Sequence, residues 1–384
     1  MTKVTEAKGV DLHKMRVVVA GGGLVGLTAG IAFERLGATV TVCEQAPAIR
    51  AAGASIGLWK NATDVLNELN LSEQLLQLGT PIETWFYDAA GHRFRAEGFG
   101  VDDHAFVLYP RPQLNTLLAQ ALGQVTIKLQ TKVIGFDEQA DEVTILLENG
   151  TQLKADLLIG ADGIYSKVRN QLLPAYSAQE HTGHHVWRAL VPTGDEPADG
   201  SVLTVGHQQT RGGYFLTYGQ VTTWMVNQFD SEAPRGTKKE EALKRAAQMN
   251  DAGWGEPLLR LIERTPEERI LHNQVMYVPA LPRWVSGRVA LLGDAAHGLS
   301  PHISAGGTLG IEDVGILIKA LLAKPSLSEA LLAYQGNRIP HYETVRRLSR
   351  TVELAQDALN YARAYATFSH WMLNEGYQES GNLR

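Results

Sequence analysis

Short apolar runs rich in β-branched residues alternate with longer helix-like stretches along this chain. Residues 16–20 (RVVVA) form a continuous apolar run, as for a strand buried on both faces. Residues 27–36 read as a helix closed by Gly37 at its C-terminus, and 39–43 (TVTVC) as a second buried strand. Strand, helix and strand make a βαβ unit, which implies a parallel pair with a right-handed crossover. Further strands are predicted at 125–129, 132–137, 142–147, 157–160 and 288–292, with a turn at 148–150. The stretch 186–229 is β-rich and interleaved with Trp187, Tyr214, Phe215, Tyr218 and Trp224. Helices are predicted at 238–248 and 256–263, an apolar one at 308–323, and amphipathic helix throughout 328–373. Pieces of one parallel α/β domain, near the start and near residue 290, thus flank a β-rich middle.

Composition narrows the class. The 384 residues are 44% apolar and 20% charged, the balance of a soluble globular enzyme rather than a disordered chain. A net charge of −6 leaves no broad basic footprint for nucleic acid. One cysteine, Cys43, excludes an intrachain disulfide framework and a Cys-rich zinc site, and fits a cytoplasmic location. No stretch reaches the ~18–20 apolar residues of a membrane span. Residues 1–14 are polar, lack an apolar signal region, and read as a flexible tail. Glycine is the outlier: 38 residues without periodicity.

The glycines mark three strand ends. Gly21-Gly22-Gly23-Leu24-Val25-Gly26 fits G-x-G-x-x-G between a strand and a helix, and Glu44 ends the next strand. The first glycine permits a tight turn, the second lets a pyrophosphate approach, and the third brings helix and strand together. Free N–H groups at the helix start then face the phosphates, and the acid accepts from ribose hydroxyls. This pattern points to a dinucleotide and does not separate NAD from FAD. Gly160-Ala161-Asp162-Gly163 closes a second strand, followed by Ser166 and Arg169. Gly293-Asp294-Ala295-Ala296-His297 closes a third, followed by Pro301, Gly306, Gly307, Gly310 and a helix expected to carry Glu312-Asp313 in its first turn. Three such strand ends suit a cofactor lying extended through the protein.

This set of motifs resembles the class A flavoprotein monooxygenases, the para-hydroxybenzoate hydroxylase superfamily. Within it the chain is similar to the branch of salicylate, 6-hydroxynicotinate, urate and alkylquinolone hydroxylases. The resemblance implies a Rossmann-like FAD-binding domain of the GR2 type (15–80, 100–180 and 285–325). That domain would be interleaved with a β-sheet substrate domain (81–99 and 181–284) and followed by C-terminal helices (326–384). It implies that Gly21, Gly23, Leu24, Val25 and Gly26 hold the FAD pyrophosphate, with Glu44, Gln45 and Arg50 at the adenosine end. Arg111 would lie at the flavin, Val133 near the adenine, and Asp162-Gly163 would serve both FAD and NAD(P)H. Asp294 would bind the ribityl chain, while Pro301, Ala305, Gly306 and Gly307 would frame the isoalloxazine. Many relatives carry Gly-Gln-Gly where this chain has Ser304-Ala305-Gly306.

The implied activity is NAD(P)H- and O2-dependent hydroxylation of a small aromatic or N-heteroaromatic substrate through a flavin C4a-hydroperoxide, by a monomer or homodimer. Antibiotic inactivation, epoxidation of a non-aromatic substrate, and an FAD oxidase without oxygen insertion are the alternatives. Some relatives place a histidine where this chain has Gly57, and commonly a proline where it has Lys60, so that acid/base role does not transfer. His302, Arg211 and Tyr214 are the candidate catalytic residues. His297 is expected to be structural, and Cys43 an inert core thiol. No acid or cysteine completes the cluster His181, His184, His185 as a metal site, so none is expected. The aromatic C-terminal run (Tyr361, Tyr365, Phe368, Trp371) is expected to pack on the body of the protein.

Overall fold

The computed structural model describes residues 9–49, 54–100, 106–195, 201–205, 210–217, 219–229, 232–249 and 256–381. Arg50, Gly53 and Tyr218 lie outside these. The glycine motif sits on a five-stranded parallel sheet. Its order is Val289–Leu291, Leu157–Gly160, Arg16–Ala20, Thr39–Cys43, Thr126–Lys128. The three strands whose ends carry the motifs are adjacent, so the motifs meet along one edge. Val17, Val18, Val19, Leu157, Leu158 and Ile159 are buried, as their unbroken apolar runs require.

An antiparallel layer follows in Val133–Glu138, Val143–Leu147 and Gln152–Ala155. The β-rich middle forms a seven-stranded sheet with Gln179–Pro192, Val221–Gln228 and Thr210–Thr217 at its centre. The hairpin Thr84–Tyr87 and Arg93–Phe94 extends its edge, although it lies far earlier in the chain. The two faces of this sheet differ. Trp187, Ala189, Val191, Trp224 and Val226 pack under the helices Lys238–Ala246 and Glu256–Arg264 as a second core. Side chains alternate along a strand. Arg188, Arg211, Met225 and Asn227 therefore occupy the opposite face, in register across three strands.

Three expectations change. In the described part of the 1–14 tail the chain is docked: Val10 N donates to Leu321 O at 2.8 Å, and Leu12 is buried. The apolar helix starts earlier, spanning Gly306–Ala323, which moves Glu312 and Asp313 into its second turn, fully buried. The C-terminal stretch is two helices, Leu327–Glu353 and Ala358–Leu373. They are separated because Asp357 accepts from Asn360 N at 2.8 Å and starts the second. Tyr361, Tyr365 and Phe368 pack against Trp59, Phe86 and Phe99 of the body, with ring centroids 5.4–6.4 Å apart.

Candidate active site

The glycines of the first loop are needed for different reasons. Gly21 has φ +104°, and a Cβ there would lie 2.3 Å from Ala161 O. A Cβ on Gly26 would lie 1.9 Å from Gly21 O. Gly23 is different: its φ is −83° and nothing lies within 4 Å of its Cβ position. Internal packing therefore does not require glycine at 23, whereas a ligand approaching the uncapped start of helix Leu24–Arg35 does. Glu44 is buried, and its oxygens accept from Gly22 N and Ala46 N at 2.8 Å each. Its backbone also pairs with Lys128 O and Thr131 N, which brings the start of the Val133 strand to the same corner. Gln45 is exposed beside it.

The other two motifs are tied together. Asp162 accepts from Ser166 Oγ and from Lys167 N at 2.7 Å, and burial raises its pKa. Arg169, fully buried, donates to Ile164 O at 2.7 Å and to Ala295 O at 3.1 Å, linking the Asp-Gly loop to the Gly-Asp loop. Asp294 is exposed, with Oδ1 3.6 Å from the Cβ position of Gly306. Asp313 holds this loop from below by accepting from Gly293 N at 2.8 Å and pairing with His297 Nε2 at 2.6 Å. His297 is thus a buried bracing residue. Helix Gly306–Ala323 opens after Ala305 with no side-chain cap, and Ser304 takes the left-handed conformation (φ +50°) that turns the chain from Pro301–Ile303 into it. Gly307 lies against Ile56, where a Cβ would meet Cδ1 at 2.6 Å. Arg111 is exposed at the start of Arg111–Gln120, its N donating to Ala54 O at 3.1 Å. An uncapped helix start beside open Gly23, open Gly163, exposed Asp294 and a second uncapped helix start together fit an extended diphosphate cofactor such as FAD.

Where the seven-stranded sheet meets these loops lies a buried polar cluster. His302 stacks on His184 and Phe229, with centroids 4.9 and 4.8 Å apart. Arg211 lies over the rings of Phe229 and Tyr361 at 4.8 and 4.7 Å. Its Nη2 donates to Glu353 O and Ala355 O, each at 2.7 Å. Arg211 Nε and Nη1, both ends of the Asn227 amide, both ring nitrogens of His184, and His302 Nε2 are buried without a protein partner. Burial, with Arg211 and His184 nearby, lowers the His302 pKa well below the usual value, and burial lowers that of His184 to about 3. Both rings are neutral at physiological pH.

Sequence reading named His302 and Arg211, and they meet here. It also named Tyr214, which falls on the other face of the sheet against the Trp187 and Trp224 core, because alternation sends 214 away from 211. Trp224 is likewise core, its Nε1 donating to Thr265 Oγ1 at 2.9 Å. Gly57 is buried within the strand Ser55–Trp59. Asn227 and Arg188 were missed. Their only local signal was a long polar side chain inside a predicted β-rich run, in VWRAL and WMVNQF. Burial and the neighbouring Arg111 lower the pKa of Arg188. Glu353 carried no local signal, yet it pairs with His181 Nε2 and accepts from Ser300 Oγ at 3.1 Å. His181, His184 and Glu353 thereby form the cluster that the sequence left without an acid.

Residues 14–349 match the family described as FAD binding domain. The aurachin C monooxygenase/isomerase of Stigmatella aurantiaca is 30% identical over 331 residues, covering 85% of each chain. The FAD-dependent urate hydroxylase of Mycolicibacterium vanbaalenii is 30% identical over 346 residues, covering 84% of each. The fold is similar to Klebsiella pneumoniae HpxO complexed with FAD and uric acid, with a TM-score of 0.80 at 22% identity over 95% of this chain and 96% of that one. No helix among the described residues is long and apolar enough to cross a membrane. The three glycine-marked strand ends, the sheet that closes over them and these similarities agree: the chain belongs to the FAD-binding family of the class A flavin monooxygenases.

Proposed function

We propose that this protein is an FAD-dependent monooxygenase that uses NAD(P)H and O2 to hydroxylate a small, polar, planar aromatic or N-heteroaromatic substrate. The observation that carries the reading is the buried polar cluster around Arg211. Arg211, Asn227, His184 and His302 present buried polar atoms that no protein group satisfies. Leaving such atoms unpaired costs about 1–3 kcal/mol each, so a site built this way is matched to a ligand that supplies the partners. The aromatic faces of Phe229 and His302 suit a flat ring, and the relatives named above include a urate hydroxylase.

FAD, when bound, supplies oxygen activation. The chain's own residues would do the rest. Arg211 donates through Nε and Nη1 to an oxyanion on the substrate ring, which favours the electron-rich form. Asn227 offers both a donor and an acceptor, fixing the ring's orientation. His302, neutral, exchanges a hydrogen bond at Nε2 without adding a second cation. Arg111 and the buried Arg188 bring two positive charges close together, which would suit an anionic reductant. An apolar substrate leaves all of these groups unpaired, which disfavours epoxidation of an apolar alkene.

The test is a panel of phenols, hydroxypyridines, quinolones and purines added to the FAD-loaded protein, scoring substrate-stimulated NADH and NADPH oxidation together with product. One reduced nicotinamide consumed per hydroxylated product is expected. Arg211→Gln should retain FAD but raise the substrate KM at least about tenfold, the loss of one charged hydrogen bond. Peroxide release without product for every compound would instead identify an oxidase.

A further inference from the structure

A second feature of this cluster shares His184 with the hydroxylation reading but rests on different geometry. His181 and His184 lie three apart in the strand Gln179–Pro192, a spacing that normally sends side chains to opposite faces. The pairing of this strand with Leu271–Tyr277 shifts register between Glu180 and His185. That irregularity brings the two imidazoles together, with ring centroids 4.9 Å apart. Glu353, the last residue of helix Leu327–Glu353, reaches the same point and pairs with His181 Nε2. One ligand-capable atom from each of His181, His184 and Glu353 lies within 4.8 Å of the others. His184 is wholly buried, and neither ring nitrogen has a partner.

We propose that His181, His184 and Glu353 form a binding site for a divalent transition-metal ion that accepts mixed nitrogen and oxygen ligands, with Zn2+ and Co2+ as its probes. Two imidazoles and a carboxylate are a ligand set such ions take, and a tetrahedral ion holds its ligand atoms roughly 3.4 Å apart, within reach of this cluster by side-chain rotation. Three protein ligands leave a fourth position open. The outer shell is built as well. Ser300 Oγ donates to the second oxygen of Glu353 at 3.1 Å, and Gln274 Nε2 donates to His181 O at 2.6 Å. Arg211 fixes the end of the helix by donating to the Glu353 and Ala355 carbonyls, and its charge nearby keeps the affinity below that of a structural zinc site. His185 does not belong to the set: it stacks instead with His272 at 5.3 Å on the neighbouring strand.

The experiment uses FAD-loaded protein freed of metals by chelation. Zn2+ is titrated against a chromophoric indicator, and Co2+ is added while its visible absorption is followed. The expected result is one ion per chain with micromolar affinity and a Co2+ spectrum of low coordination number. Glu353→Gln and His184→Ala should each weaken binding at least about tenfold, with FAD content and circular dichroism as controls for folding. His185→Ala should bind as the parent does. Absence of saturable binding, or equal loss in His185→Ala and His184→Ala, would overturn the site. A variant that loses FAD is replaced by Glu353→Asp, whose shorter carboxylate should shift the Co2+ spectrum if it is a ligand and leave it unchanged if it is not.

Discussion

At the scale of single residues, glycine separates packing from ligand binding. Gly26 has no room for a side chain, whereas Gly23 has room and an ordinary backbone angle. Gly26→Ala should therefore destabilise the protein by more than about 1 kcal/mol. Gly23→Ala should leave the FAD-free protein within about 0.5 kcal/mol of the parent, yet weaken FAD binding about tenfold or more. Thermal unfolding of the FAD-free forms and flavin fluorescence titration check both. Equal FAD affinity in Gly23→Ala would remove the first loop from the cofactor site. The motif was legible because a glycine string between a strand and a helix has few other physical reasons to exist. Its division of labour was not, because it depends on what stands opposite each Cα.

At the scale of elements, a buried charge network locks two helices beneath the Gly-Asp loop. Arg338, on Leu327–Glu353, donates to Asp313 Oδ1 at 2.7 Å and Glu312 Oε2 at 3.0 Å, both on Gly306–Ala323. Burial pushes both carboxyls up. Against it, Arg338 and His341 hold Glu312 below its ordinary pKa, and His297 and Arg338 do the same for Asp313. Carboxyls depressed in the folded state stabilise it above their unfolded pKa, and that contribution is lost as pH falls through the folded values. Arg338→Met removes the arginine shared by two buried carboxyls and leaves them only His341 and His297 as partners. It should cost about 3–5 kcal/mol at neutral pH and move the acid-unfolding midpoint upward. Urea melts across pH test this; an unchanged acid midpoint would mean that the network does not carry the stability. The sequence placed Glu312 and Asp313 near a helix start, where they would have served its dipole. Their actual partners come from the next helix, and sequence periodicity does not show which arginine crosses to meet them.

At the scale of the whole molecule, the polar cluster forms where three distant regions converge: the central sheet, the loop after Pro301 and the C-terminal helices. Tyr361 joins them, with its ring under Arg211, an edge contact to Phe86 at 5.6 Å, and its hydroxyl donating to His302 O at 3.4 Å. Tyr361→Leu should retain FAD but let water reach the cluster around Arg211. With any substrate that stimulates NAD(P)H oxidation, the fraction of reducing equivalents released as peroxide should rise. Peroxide yield measured against product checks it, and unchanged coupling would place Tyr361 outside the cluster's function.

The sequence by itself indicated the α/β fold, its interruption by a β-rich middle, and three glycine-marked strand ends that suit an extended cofactor. Each of these rests on local patterns: apolar runs of strand length, and glycines at strand ends where backbone must approach a ligand. It also supplied His302 and Arg211 as candidates. Tertiary structure alone decided which face each strand residue takes, and so moved Tyr214 into a core and brought Asn227 beside Arg211. It alone joined Glu353 to His181, 172 residues away along the chain. The physical reason is common to these cases: a period of two gives alternation but not direction, and a side chain at a helix end gains its partner only when the helix docks.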